Sequence, residues 1–290
     1  MRIISYLKNS LGAVAIIVVL LIVQAATDLS LPHYTSNIVD VGIQQSGIEH
    51  AATDAMSAET FDALCMLSAD EDESTLRAAY SLGKDGLYHL SDAARKDLDA
   101  LDVVVAFPLV AVHYAEQADF GLDGLSAAYE SGLVTKDRIQ EQLNAFRSQM
   151  GEGTEALLAQ QAIEAAKAEY QAIGYDTTAM QMGYLLRVGA LMLGLTALGM
   201  LAAVGVGFMA SRTAAGVGRS LRQRLFERVV AFSDREVQSF SAASLITRGT
   251  NDIQQIQMVI VMLLRMVLYA PILGIGGILK VAATKTGLGW

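Results

Sequence analysis

The sequence predicts an all-α membrane protein: three long transmembrane helices and a mostly helical extracytoplasmic domain. Three observations carry this. The 290 residues are 53% hydrophobic and 18% charged, whereas ordinary soluble domains are roughly 25% charged. Apolar runs long enough to cross a hydrocarbon core of about 30 Å occur at 11–31, 184–210 and 258–283. Charge is also segregated. Residues 34–183 hold 25 acidic and 8 basic side chains, a net of −17, whereas the rest of the chain is net +8, so the overall −9 is an average of two unlike regions.

The first run, Leu11 to Leu31, follows Arg2 and Lys8 and contains one charged residue, Asp28. A basic start, an apolar stretch and Val23-Gln24-Ala25 also fit a cleaved secretory signal, but two further runs downstream favour a polytopic chain. The second run, Tyr184 to Ala210, spaces Gly199, Ala203 and Gly207 four apart, placing three small residues on one face where a neighbouring helix can approach closely. The third, Met258 to Ala283, holds Arg265, Pro271, Gly274, Gly277 and Lys280. Charge at mid-bilayer is expensive, so the membrane portion is expected between the two cations, each reaching toward an interface. Pro271 is expected to bend the helix, and Gly274 and Gly277 to permit close packing. Arg212, Arg219, Arg222, Arg224 and Arg228 follow the second run. Positive residues stay inside, so residues 211–257 are expected in the cytoplasm, 34–183 outside, and 284–290 outside again.

The outer segment reads as helical. Ser91 before Asp92-Ala93-Ala94-Arg95 is a helix start. Ile139, Leu143, Phe146 and Met150, then Leu157, Leu158, Ile163 and Ala166, recur at helical spacing on either side of Gly151-Glu152-Gly153. The run Val103 to Val112 is short for a span and is expected in the core of this domain. Asp70-Glu71-Asp72-Glu73 lacks a calcium-loop pattern and reads as a solvated loop.

Several functions find no support in these residues. Cys65 is the only cysteine, which excludes an intrachain disulfide, and no Cys/His cluster has zinc-site spacing. A pI near 4.9 argues against nucleic acid as a main partner. His33, His50, His89 and His113 are scattered and suggest no catalytic arrangement, so no catalytic, cofactor-binding or metal residue is assigned. A phosphate loop of the form G-x-x-x-x-G-K-[ST] is absent; the one Gly-Lys, Gly83-Lys84, precedes Asp85.

The cytoplasmic stretch is the most informative. Leu221, Leu225, Phe226, Val229, Val230 and Phe232 recur at helical spacing with arginines on the other faces, so the second membrane helix is expected to continue past the bilayer. Ser233-Asp234-Arg235-Glu236 has the form of a capping box, which predicts a short helix near 234–239. Ser241 to Ser244 then starts a return helix through Leu245, Ile246 and Ile253 into the third run.

These residues carry a resemblance. Phe226, Phe232-Ser233, Phe240 and Ser244-Leu245-Ile246-Thr247-Arg248-Gly249-Thr250-Asn251-Asp252-Ile253 resemble the first intracellular loop of ATP-binding-cassette (ABC) exporters. Leu31 to Ile43, with Pro32-His33-Tyr34, is similar to the exit from that family's first transmembrane helix, and Tyr269-Ala270-Pro271 to part of its third. The resemblance implies a type IV half-transporter of six helices followed by a nucleotide-binding domain. ATP and Mg are then expected on that domain, and a second half-transporter as homo- or heterodimeric partner in the cell membrane. It further implies that Ser233, Asp234, Arg235, Glu236, Val237, Gln238, Ser239 and Phe240 form a coupling helix docking on the ATPase, with Arg248, Asn251 and Asp252 as polar contacts beside it. About 140 residues stand where the family has a short external loop, and three spans are half of six, so the chain is expected to be an amino-terminal fragment. The alternative from another class is a membrane sensor with an extracytoplasmic sensing domain, which the third span disfavours.

Overall fold

The computed structural model describes residues 11–117, 154–233 and 241–283, together with 124, 127, 131, 138 and 141. The chain divides into two compact units, one of Met1–Thr35 with Gly189–Trp290 and the other Ser36–Val188.

The first unit is built from long apolar helices. Helix α1 spans Leu11–Asn37, passes Pro32 without breaking and leads into a π-helical segment, Ile38–Gln44. Two further long rods belong here, α6 (Thr177–Val230) and a return rod. That rod comprises α7 (Ala242–Thr247), α8 (Ile253–Met262) and α9 (Leu268–Ala283), joined by π-helical turns at Arg248–Asp252 and Leu263–Val267. Helix α9 contains Pro271, whose ring crowds the carbonyl four residues earlier, that of Val267. The wide turn ends at that residue, so a local change of helical pitch accompanies the proline within a continuous rod.

Ile17, Leu21, Val206, Ala210, Ala214, Val217, Ile260 and Leu264 form the unit's buried core. Close approaches give the directions of the rods. A Cβ at Gly199 would lie 2.8 Å from Thr27 Oγ1, and one at Gly205 would lie 3.0 Å from Leu20. Position numbers rise along α1 as they fall along α6, so the two are antiparallel. Gly218 against Gln257 and Gly249 against Leu225 set α6 antiparallel to the return rod in the same way. Tyr269 donates its hydroxyl to Asp28 Oδ2 at 2.5 Å, and Lys280 Nζ donates to the Leu29 carbonyl, tying α9 to α1.

The small-residue pattern expected on α6 is displaced from the packed seam. Gly199 does meet a neighbour, but a Cβ at Gly207 or Gly274 would meet nothing within 4 Å, and one at Gly277 makes only ordinary contact, 3.9 Å from Leu29. Ala203 is half-buried. The buried positions are Ala202, Val206, Ala210, Ala214 and Val217, a stripe at helical spacing one residue away from the glycine-alanine register. Both stripes consist largely of small residues, so composition does not choose between them.

The second unit is helical around a small sheet that periodicity did not reveal. Strands β1 (Ala55–Ser57), β2 (Tyr80–Leu82) and β3 (Leu87–Leu90) pair antiparallel in the order β1-β3-β2. Three or four residues are too few to display a period of two. Around the sheet lie α2 (Ala58–Leu67), α3 (Asp70–Ala79), α4 (Leu98–Gln117) and α5 (Thr154–Ala172). Phe61, Leu64, Met56, Leu76, Val105, Leu109, Ala162 and Ala166 are buried together, and the Phe61 ring stacks on Tyr88 at 3.8 Å between centroids.

Local expectations for this unit are corrected in three places. Asp70 to Glu73 form the first turn of α3, not a loop; four carboxylates suit the positive end of a helix dipole. Ser91 accepts from the Ala94 amide at 3.3 Å, but it caps only a single 3-10 turn, Ala94–Lys96, and the α-helix begins at Leu98. The run 103–112 belongs to a 20-residue helix, so length does not exclude a span. By length and composition α4 joins α1 with its extension, α6 and the return rod as a fourth candidate. Its place in the core of this unit rests on the burial of Leu101, Val105, Leu109 and Val112, which repeat at helical spacing along one face. Of the expected helix at 139–150 only Glu141, which is helical, is among the described residues.

Polar groups close the sheet end. Buried Glu169 accepts from the Ser57 amide at 2.6 Å and the Thr60 hydroxyl at 2.7 Å. Tyr80 donates to the Thr53 carbonyl at 2.8 Å, and the Asp54 amide donates to the Tyr170 hydroxyl oxygen at 2.7 Å. Burial pushes the Tyr170 phenol up to about 12 and raises that of Tyr80 as well. Above pH 10 an unfolded chain releases phenol protons that the folded unit retains, so the unfolded state then binds fewer protons and stability falls with rising pH. The second unit is therefore expected to lose stability from about pH 10 to about 12. Urea unfolding at stepped pH checks this, and Tyr170→Phe should make the decline shallower; an unchanged slope in the variant counts against the assignment.

Candidate functional site

The candidate site is the helical hairpin made by the end of α6 and the start of the return rod. Helix α6 has 54 residues, about 80 Å at 1.5 Å per residue, far more than a bilayer core needs. Its later half keeps one packed face, with Ala210, Ala214 and Val217 buried and Leu221, Leu225 and Val229 half-buried. Arg212, Arg219, Arg222, Arg224 and Arg228 are all exposed on the remaining faces. Phe226 and Val230, which share the apolar spacing, are exposed too, because the packed stripe is narrower than the apolar pattern.

Helix α6 ends through tightened bonds, the Ala231 amide to Arg228 and the Phe232 amide to Val229, both at 3.2 Å. Such i to i+3 contacts satisfy carbonyls left over at a helix end. Ser233 is exposed and non-helical. Asp234, Arg235, Glu236, Val237, Gln238, Ser239 and Phe240 lie outside the described residues. Ser241 then caps α7, its hydroxyl accepting from the Ser244 amide at 3.2 Å. This local cap is worth about 1 kcal/mol, and the serine at that position was legible in the sequence.

Arg248, Asn251 and Asp252 fall together in the π-helical turn between α7 and α8, and all three are exposed. The residue that seats this turn is Gly249. A Cβ there would lie 3.5 Å from Leu225 of α6, so the turn rests against the outgoing arm. Farther along, Gly218 admits the Gln257 side chain, which would collide with any Cβ. Sequence reasoning did not single out Gly218 or Gly249. A glycine on a polar helix face gives no periodic signal.

The Gly83-Lys84 pair occupies the turn between β2 and β3. Gly86 there has φ +82°, and Asp85 accepts from the Leu87 amide at 3.3 Å. His89 lies 2.9 Å from Asp85 and holds its carboxyl below the usual carboxylate range. This is a hairpin turn, whereas a phosphate loop joins a strand to a helix N-terminus.

Comparison with known proteins bears on the hairpin directly. Residues 158–284 match the family model of the ABC transporter transmembrane region. An uncharacterized ABC transporter ATP-binding protein of Mycobacterium tuberculosis and one of Mycobacterium bovis are each 42% identical over 106 residues, 37% of this chain and 18% of the relative. One of Bacillus subtilis is 37% identical over 102 residues, 35% of this chain and 18% of the relative. The chain thus covers under a fifth of the length of these curated relatives. No solved structure matches. The matched stretch contains the long α6, the arginine-flanked hairpin and the return rod, and over it the chain is similar to the ABC transporter transmembrane region.

Proposed function

We propose that this chain is the membrane-spanning part of an ATP-driven exporter, of the multidrug, lipid or peptide type. It passes movement from a nucleotide-binding domain to helices that open alternately to the two sides of the membrane. The observation that carries this reading is the continuity of α6, which runs from an apolar stretch through an arginine-rich one without a break and is met by an antiparallel return rod. A stiff antiparallel pair transmits displacement along its length, whereas a short loop would absorb it. The relatives' names as ATP-binding proteins support an ATPase partner domain, which would hold ATP and Mg.

In this reading residues 233–240 dock on the ATPase, and Arg248, Asn251 and Asp252 make polar contacts beside them. A second half-transporter completes the bundle, and residues 34–183 lie outside the membrane. Replacing Phe240 or Glu236 by Ala in the full-length transporter should lower transport at least about tenfold. That corresponds to losing about 1.4 kcal/mol of coupling between the sites. ATP hydrolysis and membrane insertion should persist. Vesicle transport and ATPase rates measured on one preparation check this, and unchanged transport in both variants counts against the coupling assignment. Reporter fusions after Ala283 separate the exporter from a sensor, since the exporter requires that end outside.

A further inference from the structure

We propose that His50, Asp99 and Asp102 of the second unit form a binding site for a divalent transition-metal cation of the zinc class. His50 lies in the loop before β1, and the two aspartates stand one turn apart near the start of α4. His50 Nδ1 is 2.7 Å from Asp102 Oδ2 and 4.0 Å from Asp99 Oδ1. One ligand atom from each of the three residues lies within 4.8 Å of the others. Ligands about 2.0–2.2 Å from a tetrahedral ion stand about 3.3 Å from one another, so an ion fits after small side-chain movements.

Two features prepare the site. Asp102 is oriented before any ion arrives, because its Oδ1 accepts from the Ala52 amide at 2.9 Å. Its side chain and that of His50 are 25% and 29% exposed, whereas Asp99 is 98% exposed and free to swing in. Charge is also uncompensated there. Among the described residues no lysine or arginine forms an ion pair with Asp99 or Asp102, and nearby Arg95 is engaged by Asp54 at 2.8 Å. Two carboxylates thus face one imidazole within a region of net −17, a field that concentrates cations.

The donor set names the class of ion. Imidazole nitrogen with carboxylate oxygen suits zinc and its neighbours, while calcium and magnesium take oxygen ligands. His50 Nδ1 lies 2.7 Å from the Asp102 carboxylate; an ion bound there would take the Nδ1 lone pair in place of this contact, with the ring's single N–H on Nε2, so that the imidazole binds as a neutral ligand. Three protein ligands leave a fourth position for water, so occupancy cross-links the loop at His50 to α4 and keeps an open coordination site. This inference is independent of the exporter reading.

The test is binding of zinc alone to the full chain without an affinity tag, in detergent, followed by calorimetry, with cobalt as a spectroscopic substitute. The expected result is saturable binding of one ion that calcium and magnesium do not displace. Asp99→Asn, His50→Gln and Asp102→Asn should each weaken it at least about tenfold, since loss of an outer-shell partner alone typically costs 10- to 100-fold. Asp99→Asn is the clean variant, because a 98% exposed side chain with no hydrogen bond among the described residues is replaced with little effect on folding. The tetrahedral cobalt absorption should disappear with His50→Gln. Absence of saturable zinc binding overturns the proposal. Wild-type affinity in Asp99→Asn also overturns it and leaves His50 and Asp102 as a hydrogen-bonded latch, and equal binding of calcium overturns the assigned class.

Discussion

Phe61→Ala is expected to destabilise the second unit by about 3–5 kcal/mol, the usual cost of emptying an aromatic site in a close-packed core. Phe61 is 1% exposed, stacks on Tyr88 at 3.8 Å and meets Tyr80 at 5.9 Å between centroids. It therefore joins α2 to the last strands of a sheet whose strands have three or four residues each. So small a sheet is marginal without packing, and the loss should spread to the β2–β3 hairpin and the loops beside it. Most domains are only 5–15 kcal/mol stable, so this loss takes a large fraction of the total. Limited proteolysis and urea unfolding should show cleavage between 50 and 117 at lower denaturant. Phe61→Leu should lose less, because it fills part of the volume. Equal sensitivity of Phe61→Ala and wild type would refute the assigned core.

Ala210→Leu should have the second-largest effect, this time in the first unit. Ala210 is fully buried in the seam with Ile17, Leu21, Ile260 and Leu264. Between membrane helices the lipid is as apolar as leucine, so association depends on close packing and not on hydrophobic transfer. A larger side chain there separates helices without a compensating gain, at a cost of about 1–3 kcal/mol. Gly207→Leu is the control, since a Cβ at that position meets nothing within 4 Å. Thermal melting in detergent should fall for Ala210→Leu and stay near wild type for Gly207→Leu. The reverse order would place the packed face on the glycine stripe.

These two experiments also show how legible the protein was. Long apolar runs and arginine flanks announced the helices of the first unit, because membrane spanning depends on length and transfer energy that add up residue by residue. The Ser241 cap was legible for a similar reason, as its partner lies three residues away. Choosing the packed face of α6 was not possible from the chain, since Gly199-Ala203-Gly207 and Ala202-Val206-Ala210 both offer small residues at the same spacing. Residues 233–240, proposed to couple the hairpin to an ATPase, were singled out by their capping-box form and their resemblance to a family, and the described structure reaches only Ser233 and, beyond them, Ser241.

In the second unit the balance reverses. Asp70 to Glu73 read as a loop until a helix N-terminus was seen beneath them, and His50, Asp99 and Asp102 were scattered residues until the fold set them within 4.8 Å. Sequence alone determined that this protein is helical and membrane-embedded, where the polar and apolar segments divide, and where one long helix extends into a basic stretch. Those properties are sums over local segments. Only the tertiary structure decided which face of each helix is buried, that a three-stranded sheet supports the acidic unit, and that a histidine and two aspartates share one small space. Such properties depend on contacts between residues tens to hundreds of positions apart, from Ala55 with His89 to Asp28 with Tyr269, and no local pattern in the chain encodes that proximity.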